Sequence, residues 1–167
     1  MRYHNIDKFE YVNGKNIGVS LFVQGCPHKC HNCFNQETWN PKDGKEFTEE
    51  VKQDFFKLID RDFIKRVTII GGEPLAPYNY LEVRLLMQEI KNKFPDKTIW
   101  LYTGYTYEEL TREQYRTIIY VDYLVDGKFV EELKDLSLPF RGSSNQRIIN
   151  VQKTLEQGDI VLWEDEQ

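Results

Sequence analysis

No stretch of this 167-residue chain approaches the roughly 20 consecutive apolar residues that cross a bilayer as a helix. The start, Met1-Arg2-Tyr3-His4, runs into polar sequence without an apolar h-region, so no secretory signal is expected. There is no block of Lys and Arg, and the formal net charge is −5. The missing apolar run leaves no membrane role expected, and the charge argues against direct nucleic-acid binding as the main role while leaving a protein partner open. Internal repeats of fixed period and low-complexity tracts are also missing. What remains is the length of one domain, expected to span residues 1–167, with 40% hydrophobic and 29% charged residues. Such a chain is globular and long enough to bury a core.

Cysteine is scarce in an informative way. The three cysteines fall in one run, Cys26-Pro27-His28-Lys29-Cys30-His31-Asn32-Cys33. An odd, tightly clustered set makes a poor disulfide framework. A redox pair of Cys30 and Cys33 leaves Cys26 unexplained. A metal or cluster site in a reducing compartment, the cytoplasm, accounts for all three. The spacing is CxxxCxxC with Phe34 next. A cubane iron–sulfur cluster takes a full set of four thiolates, and this chain has no fourth. One iron would be left open, of little use to a simple electron carrier and of use to an enzyme that chelates substrate there. Gly25 and Pro27 suit a tight loop around such a group. Structural zinc fits the same residues, because His28 or His31 can complete a Cys₃His set. Both histidines also read as ordinary loop residues.

Periodicity supplies the scaffold. Gly18–Val23, Val67–Ile70, Thr98–Tyr102 and Tyr120–Val125 read as strands, with Ile148–Val151 and Ile160–Trp163 as late candidates. Phe47, Val51, Phe55 and Ile59 mark one helix face, with Thr48 at its start. Val83, Met87, Ile90 and Phe94 mark another, stopped by Pro95. Thr106 with Glu109 and Thr111 with Gln114 fit capping boxes that open short helices. Alternation of β and α predicts an α/β fold with a largely parallel sheet. A complete eight-fold barrel needs about 250 residues. An open or partial βα barrel is therefore expected.

Gly25-Cys26, Gly71-Gly72-Glu73-Pro74, Thr103-Gly104 and Asp126-Gly127-Lys128 each follow one of the four early strands. In parallel βα folds the loops after strands share the rim that carries ligands, so these groups are expected to face one pocket.

On these residues the chain resembles the radical S-adenosylmethionine superfamily, whose signature is CxxxCxxC followed by an aromatic, with a GGE-type motif after the second strand. Here these are Cys26, Cys30, Cys33 and Phe34, then Gly71-Gly72-Glu73-Pro74. The segments Tyr11–Gly14 and Phe22–His28 narrow the resemblance to the activators of anaerobic ribonucleoside-triphosphate reductase. So do Trp100–Tyr105, Leu124–Phe129 and Arg141-Gly142-Ser143-Ser144-Asn145-Gln146-Arg147. The last run is the most family-specific, and the tail after about Val151 matches least.

The resemblance implies a 4Fe–4S cluster on Cys26, Cys30 and Cys33, with S-adenosylmethionine chelated by the open iron. Gly71, Gly72 and Glu73 would meet its methionine amino group. Asn32, Cys33 and Phe34 would lie near the adenine, and Thr103, Asp126 and Lys128 near the ribose and carboxylate. One electron from a flavodoxin-like donor would cleave the cofactor to a 5′-deoxyadenosyl radical. That radical would take a hydrogen atom from a glycine on the large subunit of the reductase. The alternatives are an activator of another glycyl-radical enzyme, such as pyruvate formate-lyase, and a zinc-stabilised interaction module without catalysis.

Overall fold

A computed structural model describes residues 1–165. The elements run β1 (Arg2–Glu10), β2 (Gly18–Val23), β3 (Lys45–Glu46), α1 (Glu49–Ile59), β4 (Arg66–Gly71), α2 (Tyr80–Lys93) and β5 (Thr98–Tyr102). Then follow α3 (Arg112–Ile118), β6 (Tyr123–Asp126), β7 (Arg147–Asn150) and α4 (Val151–Gln157). They build one mixed seven-stranded sheet in the order β3-β1-β2-β4-β5-β6-β7. The central β2, β4, β5 and β6 pair in parallel, while β1, β3 and β7 add antiparallel edges. Among the described residues no helix is long and apolar enough to cross a membrane.

The helices form where the periodicity places them. Thr48 caps α1 by accepting from the Val51 amide at 3.2 Å, and Phe55, Phe56 and Ile59 are buried. In α2 the buried face is Val83, Leu86, Met87 and Ile90. Both capping boxes are present, although Thr106 opens a single 3₁₀ turn and Thr111 opens α3. These faces pack against Val19, Leu21, Val23, Val67, Ile69, Ile99 and Leu101 in one continuous core.

Period-two alternation sends the intervening residues to the opposite face. There Trp100, Val125 and Ile148 form a second cluster with Tyr102, Tyr123, Phe140 and Trp163. Beside it Arg66, with no exposed surface, pairs with Glu10 at 2.7 Å and also donates to Thr68 Oγ1 and the carbonyls of Glu10, Lys15 and Asn16. Five guanidinium protons thereby find partners, which burial of that charge requires.

Three local expectations need correction. β1 precedes the strand read as first, because its alternation is masked by polar side chains on a half-exposed edge. Tyr120 and Val121 close the turn after α3, and β6 starts at Tyr123. Ile160–Trp163 makes only an isolated bridge, Leu162 to Ile149, because α4 begins directly after β7 and carries the chain off the sheet.

Candidate cluster and cofactor site

The parallel topology delivers the C-terminal ends of β2, β4, β5 and β6 to one rim, and a cavity of about 770 Å³ opens there. Cys26, Cys30 and Cys33 line it together with Phe34, Gly71, Gly72, Glu73, Thr103 and Lys128. Asn32 and Asp126 do not. Asn32 is exposed at the outer bend of the cysteine loop, with φ of 55°. Asp126 is 1% exposed and is taken up by Arg147, whose Nη2 and Nε lie 2.6 and 3.0 Å from its two oxygens, and by the amide of Tyr107.

The turn at Gly71-Gly72 needs its glycines. Gly71 has φ of +105°, in the region that favours glycine. The amide of Glu73 donates to the Gly25 carbonyl at 2.7 Å, so the turn packs directly on the residue before Cys26.

The Glu73 side chain is a hub rather than a free acceptor. Its Oε1 receives His28 Nε2 at 2.6 Å and the Gly104 amide at 2.7 Å. Its Oε2 receives the Leu75 amide at 2.9 Å and the Thr103 hydroxyl at 2.8 Å. Thr103 is thereby fixed from beneath and turns its own lone pair to the Tyr105 amide.

The family-specific run folds over the far wall. Gln146 Oε1 accepts the amides of Gly142 and Ser143, and its Nε2 donates to the Gly127 carbonyl. Asn145 holds the Lys128 carbonyl. Phe34 meets Phe129 at a tilt, with ring centroids 4.9 Å apart, and a Cβ at Gly142 would come within 2.9 Å of the Phe34 ring.

The sheet itself supplies the floor through Phe22, Ile70 and Tyr102. Sequence reading did not single these out. Strict alternation within β2, β4 and β5 carries the signal, since all three share a face with Trp100. His28 was weighed there only as a zinc ligand or a loop residue, and the structure pairs it with Glu73.

The three thiols are half-buried and free. Burial pushes Cys26 up to about 11, against the amides of His28 and Lys29 that pull it down. Cys30 is also raised by burial, with the Phe129 amide and the Lys128 charge pulling the other way. An incoming metal centre must therefore displace protons. A single zinc draws its donors to within about 2.3 Å of one point. Among the described residues no three His, Cys, Asp or Glu side chains are gathered for that. A cubane binds each thiolate at a separate iron, so its donors need not meet at one point, and all three cysteines line the same cavity.

A family profile described as a 4Fe-4S single cluster domain matches residues 12–149, which places this α/β chain, with its cysteine-lined cavity, in the class of single-cluster iron–sulfur proteins. The similarity to individual proteins is more specific. An anaerobic ribonucleoside-triphosphate reductase-activating protein of Vibrio cholerae is 42% identical over 150 residues, covering 89% of this chain and 97% of that protein. The protein of the same name from Enterobacteria phage T4 is 40% identical over 148 residues, covering 89% and 93%. That of Escherichia coli K12 is also 40% identical over 148 residues, covering 87% and 96%. The chain belongs to the family of anaerobic ribonucleoside-triphosphate reductase-activating proteins.

Proposed function

We propose that this chain is a radical S-adenosylmethionine activase that installs a glycyl radical on the large subunit of anaerobic ribonucleoside-triphosphate reductase. The observation that carries the reading is one cavity lined both by the three cysteines and by the Gly71-Gly72 turn. Cys26, Cys30 and Cys33 hold the 4Fe–4S cluster. When bound and reduced, that cluster supplies the electron that splits S-adenosylmethionine into methionine and the 5′-deoxyadenosyl radical.

The remaining work belongs to the polypeptide. Gly71 and Gly72 let backbone polar groups approach the amino-acid end of the cofactor, and Glu73 offsets its ammonium charge from behind the turn. Lys128, exposed in the cavity wall, meets the carboxylate. Cys33 and Phe34 take the adenine end through backbone and ring face, with Asn32 bending the loop that presents them. Thr103 borders the ribose, and Asp126 holds the β6 end in place through Arg147. Phe22, Ile70 and Tyr102 give an apolar floor that limits water around a reactive radical.

The sheet acts as a partial barrel whose open side admits a loop of the partner. Tyr11, Val12 and Leu136, exposed by 72, 62 and 78%, border the same cavity, and exposed apolar patches beside polar ones mark protein contacts. A cytoplasmic location and a strong one-electron donor of the flavodoxin type complete the reading.

The test is anaerobic reconstitution with iron and sulfide. About four irons per chain, 5′-deoxyadenosine formation, and a glycyl-radical EPR signal that needs reductase, reductant and S-adenosylmethionine together are expected. A Cys30→Ala chain should give neither cluster signal nor radical. Iron-loaded wild type that never splits the cofactor would end the proposal.

A further inference from the structure

His28 lies between two of the cysteines, yet the reading above gives it no task. Its side chain is 6% exposed and that of its partner Glu73 is 1% exposed. The other three groups on this carboxylate, two amides and the Thr103 hydroxyl, are all donors. A carboxylate offers about four acceptor positions, so the protein fills them all, with His28 Nε2 as the fourth donor. The ring is fixed by packing as well. It meets Tyr105 edge-on, with centroids 4.5 Å apart. It also lies so close to Gly104 that a Cβ there would come within 2.5 Å of His28 Cδ2.

The consequence is a junction of three rim segments. The cysteine loop follows β2, the glycine turn follows β4 and the Thr103-Gly104 segment follows β5. The cysteine loop bends twice through left-handed backbone, at Lys29 and Asn32, with φ of 49° and 55°. Left to itself, such a loop has many ways to place three thiols. A charge-assisted hydrogen bond from its middle to a buried, saturated carboxylate selects one of them.

We propose that His28 is a positioning residue, latching the cysteine loop to Glu73 so that the open corner of the cluster is set against the Gly71-Gly72 turn. This rests on the cofactor reading above. Groups that orient metal ligands without touching the metal cost roughly 10- to 100-fold in affinity or activity when removed.

The test compares full-length wild type, His28→Phe and His28→Gln. Phenylalanine keeps a ring against Tyr105 and Gly104 but has no donor. Glutamine restores an N–H donor at similar reach. Iron content is expected to be equal in all three, because the cysteines are untouched. In His28→Phe the Gly104 amide and the cysteine loop should exchange hydrogen faster even before cluster is added. Its reduced-cluster EPR signal should need roughly 10- to 100-fold more S-adenosylmethionine to change. His28→Gln should recover most of both effects.

Should the phenylalanine chain not fold, His28→Ala takes its place against glutamine. Wild-type cofactor affinity and amide protection without the donor would overturn the latch, and so would a glutamine chain as impaired as phenylalanine. Wild type that holds iron but never responds to S-adenosylmethionine would instead defeat the functional reading. The exchange rates would then still judge the latch.

Discussion

Gly72 and Gly25 touch so closely that a methyl group on Gly72 would lie 2.3 Å from the Gly25 carbonyl oxygen. That oxygen also accepts the Glu73 amide, so it cannot retreat without breaking a bond between two rim loops. Gly72→Ala is therefore expected to cost about 1–3 kcal/mol of stability, the usual penalty for forcing an extra carbon into a packed site. Urea unfolding of the apo-chain measures this, and an unchanged midpoint would show that the two loops are free to part.

Lys128 is the exposed cation in the cavity wall beside Cys30. Lys128→Met keeps the stem and removes the charge. Hydrogen bonds to charged groups are worth about 1.5–3 kcal/mol, so S-adenosylmethionine binding should weaken about 10-fold or more. Iron content should hold, as judged by metal analysis and EPR titration on the same sample.

The buried Glu10–Arg66 pair at the start of β4 predicts a pH signature. Burial pushes the Glu10 carboxyl up, but hydrogen bonds from Arg66 and Ser20 and the Arg66 charge outweigh it and hold the group below its usual 4.5. A carboxyl depressed in the folded state adds stability that is complete above 4.5 and is lost as pH falls through its folded value. Glu10→Gln leaves a fully buried guanidinium without its counter-charge and should cost about 3–5 kcal/mol near neutrality. The gap between the two apo-chains in urea should shrink once pH drops below 4.5. A gap independent of pH would mean that the charge contributes nothing.

Leu136 and Tyr11 flank the cavity mouth without entering the hydrogen-bond network around the cysteines. Leu136→Asp and Tyr11→Asp should leave reductant-driven formation of 5′-deoxyadenosine near wild type in the absence of partner. The yield of glycyl radical on the reductase should fall several-fold, since a charge now faces an apolar contact. Equal loss of both products would place these residues in the cofactor site instead.

Much of this was legible in the sequence because it is local. The spacing of Phe55 and Ile59 or Val83 and Met87 announces a buried helix face, and CxxxCxxC announces a shared ligand. β1 was not legible. Its nine residues include Arg2, Asp7, Lys8 and Glu10, whose charges serve an exposed edge and a buried pair rather than an alternating pattern. α4 was hidden for another reason: Val151 continues the apolar run of β7, and only the Asn150 cap, accepting from Lys153, shows where the strand stops. Within the site, the contact of His28 with Glu73 spans 45 positions. Only the parallel stacking of β2, β4 and β5 brings those residues together, and no short-range pattern encodes it.

The shared alternation of the central strands has a practical corollary. In β2, β4 and β5, odd-numbered Val19, Leu21, Val67, Ile69, Ile99 and Leu101 belong to the helix-side core. Even-numbered Phe22, Ile70 and Tyr102 face the cavity. In β6 the assignment inverts, with Leu124 toward the helices and Val125 toward the cavity side. Substitutions at Leu21, Ile69 and Leu101 should thus lower accumulation, as should those at the buried even-numbered Arg66, Thr68 and Trp100, whereas substitutions at the rim positions Phe22, Ile70 and Tyr102 should accumulate normally but fail in turnover.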